Sequence, residues 1–231
     1  NLMAVILFSA INWRKIFGIA VILLTTALFI IAGKFNADEY TIHRLYEGQE
    51  VILHKDTRYG KFVVTRLEDQ FNFFDNGALL FSTGDIIHAE ETTHYALAQT
   101  VKPQLVLLIS GGITGTAKEI LKHGVELVDY VELEPMVFEI GRKFTNNLDD
   151  ARIRTIAMDG RLFVETSTEK YDAIILDLAV PATIQVNRFY TIEFFRRAKS
   201  IMKDWGVLSM GIVSSENFPQ GRDSSALARI L

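Results

Sequence analysis

The 231-residue sequence predicts an α/β protein: a doubly wound domain on a parallel sheet, preceded by a small antiparallel β domain and an N-terminal transmembrane helix. Three observations predict it. From Leu105 onward, strand-like apolar runs alternate with helix-like runs, which requires a parallel sheet covered on both faces. Residues 50–83 hold short β-rich runs separated by turn residues. Near the start, Ile16 to Ala32 carry no charge at all.

The charge-free run follows Trp13-Arg14-Lys15 and is seventeen residues long, roughly 25 Å as a helix and just short of a hydrocarbon core. A signal peptide has the same basic-then-apolar order. The preceding "NLMAVILFSAI" is itself apolar, which favours a membrane anchor behind an earlier membrane helix, with sequence missing upstream of Asn1. Arg14 and Lys15 favour a cytoplasmic N-side, whereas Lys34 and Arg44 weaken that bias. The expected location is the cell's inner membrane with the soluble domain in the cytoplasm, because the chemistry read below needs a cytosolic metabolite.

"NADEYTIHRLYEGQE" is polar and reads as a linker. The runs "EVILHK", "GKFVVTRL", "FNFFDNG" and "ALLFST" read as strands, with Asp75-Asn76-Gly77 as a hairpin turn. Then "LVLLIS" is a buried strand and "TAKEILKHG" a helix stopped by Gly124. "LVDYVEL" is a second strand, and Pro135 opens the helix "PMVFEIGRKF". "IRTIAM" and "YDAIILDL" are two more strands, "TIEFFRRAKSIMKDWG" an amphipathic helix, and "GVLSMGI" a fifth strand. The organisation expected is a membrane segment over 1–33, a linker over 34–49, the β domain with a connecting helix over 50–100, and a nucleoside-binding domain over 101–231. "SSALARIL" reads as the opening of a further helix, so C-terminal strands are expected to be missing.

Composition excludes several functions. A net charge of −4 and a pI near 5.8 provide no basic surface for nucleic acid. The absence of cysteine removes disulfides, thiolate metal sites and cysteine nucleophiles. The positive mean hydropathy, +0.19, has its source in the N-terminal run.

The chemistry-bearing residues fall at strand ends, where a doubly wound sheet binds ligands. The loop after the first parallel strand, "SGGITG", supplies Gly111, Gly112 and Gly115. Glu132 ends the next strand, twenty residues after Gly112, where an acid can take two ribose hydroxyls. Asp159 follows the third strand in "AMDGRLF", and Asp177 ends the fourth in "IILDLAVP". Any one of them alone is an ordinary strand-end acid or helix cap. Their shared register with the glycine loop makes the case for a nucleoside site.

On these blocks, together with "DTRYGKFVV", "DNGALLFSTGDIIHAEETTH", "VDYVELEP" and "RFYTIEFF", the chain from about 56 to 212 resembles the polyamine aminopropyltransferases (spermidine synthases), specifically their membrane-fused branch. The resemblance implies a small β domain followed by a class I methyltransferase-like Rossmann domain. It implies Glu132 as the ribose-binding acid, Asp159-Gly160 as the adenine-contacting pair, and Asp177 as the base for the attacking amine. It also implies Glu90, His94 and Tyr190 as substrate contacts. The co-substrate implied is decarboxylated S-adenosylmethionine or S-adenosylmethionine, with no permanently bound cofactor. The partners implied are an amine acceptor, membrane lipid around the N-terminal helix, and a homodimer or membrane-protein partner. No metal is expected, since His88, Glu91 and His94 diverge around their helix.

The sequence departs from the family pattern at the substrate end. Ile113 stands where the family's G-G-G-D-G-G loop has Asp, and Val180 replaces the second Asp of D-S-S-D-P. Gly60 replaces a Gln, and His88-Ala89 replaces a Tyr-His pair. The leading expectation is aminopropyl transfer to an amine. The rivals are a non-catalytic module in a membrane complex and a methyltransferase, with a nicotinamide oxidoreductase below them for want of any hydride-transfer site.

Overall fold

The computed structural model describes residues 2–34, 37–178 and 184–211, with side chains described at 13, 15–31 and from 39 onward within those ranges. It divides into two units, Asn1–Val51 and Ile52–Leu231. The first holds α1 (Leu2–Lys34) and α2 (Ala37–Leu45). Among the described residues no helix is long and apolar enough to cross a membrane, so the expected transmembrane helix is not supported. Within the unbroken 33 residues of α1, the charge-free run behind Lys15 reaches about 25 Å as a helix, against about 30 Å of hydrocarbon. The stretch read as a linker carries α2, whose His43 and Arg44 in the last turn suit a helix C-terminus. The helix expected at "SSALARIL" lies outside the described residues.

The second unit contains two sheets. The first has the order β1-β2-β3-β4, from β1 (Glu50–Asp56), β2 (Lys61–Leu67), β3 (Gln70–Asp75) and β4 (Ala78–Ser82). The pairs β2–β3 and β3–β4 are antiparallel. Asn76 and Gly77 join β3 to β4 with φ of +50° and +79°, so the two-residue turn is left-handed at both positions, as the Asn-Gly step predicts. Asp85 then caps α3 (Ile86–Leu97) by accepting from the His88 backbone N–H at 3.3 Å.

The second sheet is wholly parallel, in the order β7-β6-β5-β8-β9. Its strands are β5 (Leu105–Ile109), β6 (Leu127–Glu132), β7 (Ile153–Ala157), β8 (Tyr171–Leu176) and β9 (Met202–Met210). The connecting helices are α4 (Thr116–Leu121), α5 (Pro135–Phe144), α6 (Gly160–Thr166), α7 (Ile184–Asn187) and α8 (Ile192–Ser200). Alternate residues of β5 enter different cores. Val106 and Leu108 pack with Ile120, Val137 and Phe73, whereas Leu107 and Ile109 pack with Val164, Phe194 and Ala198. Burying each such side chain contributes about 1.5–3 kcal/mol. Burial on both faces is why β5 is a continuous apolar run. The order runs outward in both directions from β5, so the crevice between the ends of β5 and β8 is a topological switch point.

The helix expected over "TIEFFRRAKSIMKDWG" is shorter than its pattern. It ends at Ser200, and Met202 already pairs with Tyr171 of β8. Four residues, Lys203 to Gly206, then loop out before Val207 rejoins the ladder opposite Ala173, leaving Trp205 exposed. Ile201 and Met202 extend the helical period, but pairing with the edge of β8 wins. At the far end of the sheet, Asp129 is fully buried and accepts two 2.6 Å bonds from Arg154 and one of 2.8 Å from the Tyr171 hydroxyl.

Candidate functional site

The carboxyl ends of β5, β6 and β8 meet the β3–β4 hairpin and α3 around a cavity of about 240 Å³. Its lining includes Gly111, Glu132 and Asp177, three of the residues singled out in the sequence, and adds Tyr59, Asp75, His88, Ser110, Tyr130 and Glu134.

The chain leaves β5 through two left-handed residues, Ser110 (φ +64°) and Gly111 (φ +70°), followed by a 3-10 turn over Gly112–Thr114. Gly111 is required by crowding as well as by φ: a Cβ there would stand 1.9 Å from Asp177 Oδ2. At Gly112 a Cβ would meet the Tyr130 ring at 2.5 Å. Gly115 does not line the cavity; it precedes α4 with φ +118°. Ile113, in the position of the family's loop acid, is buried and packs against Gly141 of α5. Its carbonyl is held by the Asn147 side-chain amide at 2.9 Å. The glycine loop is therefore anchored by packing where the family has a charge.

Glu132 is held from several sides. Ser110 Oγ donates to its Oε2 at 3.0 Å, the Tyr130 hydroxyl donates to the same oxygen at 3.2 Å, and the Leu133 N–H donates to Oε1 at 3.0 Å. Burial pushes its carboxyl above the usual range, and these bonds oppose the shift. Burial likewise raises the Tyr130 hydroxyl, with Glu132 adding to it. Asp75 is raised by burial and then by Glu134, whose Oε1 caps α5 by accepting from Met136 N–H. Glu134 Oε2 is buried without a hydrogen-bond partner among the described residues.

Asp177 has a nearly buried side chain, 6% exposed. Its Oδ2 accepts from Thr116 Oγ1 at 2.7 Å, and its Oδ1 lies 2.8 Å from His88 Nε2. That hydrogen bond raises His88 above its ordinary value; burial opposes it, and charge on Asp177, Asp85 and Glu91 assists it. His88 and Thr116 were not singled out in the sequence as site residues. Ser110 and Tyr130 were missed as well, because each owes its role to a strand-end register shared across β5 and β6.

The remaining expected contacts stand elsewhere. Asp159 caps α6, accepting from the Arg161 and Leu162 N–H groups, and pairs with Arg188. Gly160 packs against Ile109 and Phe189. The Tyr190 hydroxyl donates to the Gly211 carbonyl at 3.1 Å. None of the three lines the cavity. Glu90 and His94 lie outside it too, gathered with Glu119 of α4 so that one ligand-type atom from each falls within 4.8 Å of the others. Lys122 Nζ sits 2.5 Å from Glu119 Oε1, so that cluster already holds a cation. His94 Nδ1 meets His123 Nε2 at 2.7 Å, and burial, then His94, lowers His123. Val180 lies outside the described residues.

Comparison with known proteins agrees with this geometry. The spermine/spermidine synthase domain matches residues 85–216. A polyamine aminopropyltransferase of Oceanobacillus iheyensis is 32% identical over 200 residues, covering 81% of this chain and 39% of the relative. Another, from Korarchaeum cryptofilum, is 36% identical over 59% of this chain and 44% of its own length. The chain thus spans less than half the length of these relatives. Among solved structures, a spermidine synthase in complex with the transition state analogue AdoDATO superposes with a TM-score of 0.68 at 26% identity, over 78% of this chain and 63% of that one. The spermidine synthase of Thermotoga maritima gives a TM-score of 0.60, also at 26% identity, over 70% and 55%. A match over residues 85–216, with the glycine turn, Glu132 and Asp177 meeting at one switch point, makes this chain a member of the spermine/spermidine synthase family.

Proposed function

We propose that the cavity binds decarboxylated S-adenosylmethionine and transfers its aminopropyl group to an amine. The observation that carries the reading is the convergence of Asp75, Glu132, Glu134 and Asp177 on one cavity beside the glycine turn. Such a wall suits a cationic donor and a cationic acceptor. Glu132 would take the ribose hydroxyls, as a charged acceptor at the end of the second strand does in nucleoside sites.

The leaving group is a neutral thioether, so no general acid is required. The acceptor amine, with a pKa of about 10, must shed a proton before it attacks. Asp177, on the cavity wall, supports that step. The rest of the rate comes from holding nitrogen, carbon and sulfur in line.

The test is calorimetric titration of the full chain with decarboxylated S-adenosylmethionine, S-adenosylmethionine and methylthioadenosine. The expected order places the decarboxylated donor above S-adenosylmethionine. A preference for S-adenosylmethionine would replace aminopropyl with methyl transfer, a reading favoured by the buried Ile113 where the family has an acid. No binding of any of the three would leave a non-catalytic module. Asp177→Asn should abolish turnover and keep nucleoside binding; unchanged turnover removes Asp177 from the chemistry.

A further inference from the structure

We infer that His88, held by Asp177, is the group that takes the proton from the acceptor amine, so that the base of this site is an imidazole oriented by a carboxylate. The role presupposes the aminopropyl-transfer reading and gives it a specific proton acceptor.

Asp177 is badly placed to meet a substrate by itself. Both its oxygens are engaged, by Thr116 and by His88, and its side chain is 6% exposed. Gly111 presses on it so closely that no β-carbon fits between them. His88 is the opposite: its side chain is half exposed and lines the cavity. An ionised carboxylate only accepts, so His88 Nε2 carries the hydrogen that bridges to Asp177 Oδ1. That fixes the tautomer and leaves the lone pair of the neutral ring on Nδ1. Among the described residues Nδ1 has no hydrogen-bond partner. The position is set by backbone: Asp85 caps α3 on the His88 N–H, and Asp177 follows β8 with its own N–H on the Ile109 carbonyl at 3.0 Å.

The step balances. The ammonium acceptor gives one proton to His88 Nδ1, turning imidazole into imidazolium. The freed nitrogen lone pair forms the new N–C bond to the methylene beside the sulfonium. The C–S bond breaks with its electron pair going to sulfur, which leaves as a neutral thioether. The half-exposed imidazolium returns its proton to water. The Asp177 side chain keeps accepting from Nε2 throughout and so holds the imidazolium in place. Asp85 and Glu91 on α3 also favour the charged ring, and Tyr59, Asp75, Tyr130, Glu132 and Glu134 are the other ionisable groups on the cavity wall. The hydrogen bond from Asp177 raises His88, which brings the base closer to the amine it must deprotonate.

The test uses the full chain, decarboxylated S-adenosylmethionine and a panel of primary amines, with kcat measured against pH. Wild type should show kcat rising with pH through a limb above about 6.5, the ordinary imidazole value. NMR titration of ring-labelled histidine should place the His88 transition at that same limb. His88→Gln keeps a donor for Asp177 but cannot accept the proton. It should lower kcat about 100-fold or more, erase the limb, and leave calorimetric donor affinity unchanged. His88→Ala should recover part of the rate with added imidazole. Wild-type kcat in His88→Gln, or a limb that does not coincide with the His88 titration, overturns the assignment while the transfer reading stands. No turnover by wild type with any amine overturns the transfer reading itself, and the proton-accepting role with it.

Discussion

Replacing Gly111 with alanine measures how tightly the glycine turn is pressed onto Asp177. Gly111 has φ +70°, and its Cβ would stand 1.9 Å from Asp177 Oδ2 and 2.2 Å from Cγ. Gly124 has nearly the same φ, +75°, with nothing within 4 Å of where its Cβ would stand. Both alanines carry the left-handed backbone cost of about 1–2 kcal/mol. Only Gly111→Ala must also push the carboxylate aside and break the 2.7 Å bond from Thr116. A hydrogen bond to a charged group contributes about 1.5–3 kcal/mol, so Gly111→Ala should be about 2 kcal/mol less stable than Gly124→Ala. In a chain of this size each kcal/mol lowers Tm by about 2–4 °C, which separates the two variants by about 4–8 °C. Thermal unfolding followed by circular dichroism reads the difference. In a Thr116→Val background the gap should shrink, because the bond is already gone. Equal Tm shifts for the two alanines would refute the wedge.

Other consequences follow from the same geometry. Glu132→Gln should weaken methylthioadenosine binding about 10–100-fold by calorimetry, the equivalent of about 1.5–3 kcal/mol for bonds to a charged acceptor; undiminished affinity would take the ribose away from Glu132. Asp129→Ala strands the Tyr171 hydroxyl and the Arg154 guanidinium, and should cost about 3 kcal/mol in urea unfolding, the low end for a broken buried pair because Arg154 is half exposed. Its kcat should be that of wild type, since none of Asp129, Arg154 and Tyr171 lines the cavity. His88 is raised in the folded state, so its contribution to stability is fully present below pH about 6.5 and is lost as pH rises through the higher folded value. The stability difference between wild type and His88→Asn should therefore fade toward alkaline pH, and a difference that grows there would contradict the ion pair with Asp177.

The doubly wound sheet was legible because its central strands are buried on both faces, and a run such as "LVLLI" has no polar residue to compete with that reading. The hairpin was legible for a local reason too, since Asn76-Gly77 has few alternatives to a left-handed turn. Residues whose place is set by their own strand end, Glu132 and Asp177, were found in the sequence and line the cavity. Residues placed by tertiary approach were not. His88 reaches Asp177 across 89 positions of chain, and Thr116 across 61, and no spacing rule announces either pair. Glu90 and His94 share a helix with His88 but not a face, and they meet Glu119 of α4 outside the cavity lining. The helix end at Ser200 was misread for a related reason: β8 offers Met202 a ladder partner that local periodicity cannot represent.

The substitution of Ile113 for an acid changes the source of the cavity's charge more than its sign. Ile113 still lines the cavity but brings no charge to it, and its side chain packs against Gly141. Asp75 from the hairpin and Glu134 from the start of α5 stand on the same wall, so acids from other elements take over the negative field. Asp75 is already pushed up by burial and by Glu134, which means that the wall gains by admitting positive charge. A donor that brought its own carboxylate would add a further like charge. At a separation of about 6 Å and an effective dielectric of about 20, each such contact costs about 3 kcal/mol. On the proposed reading, selection of a decarboxylated donor therefore needs no acid in the glycine loop, because Asp75 and Glu134 already stand on the wall.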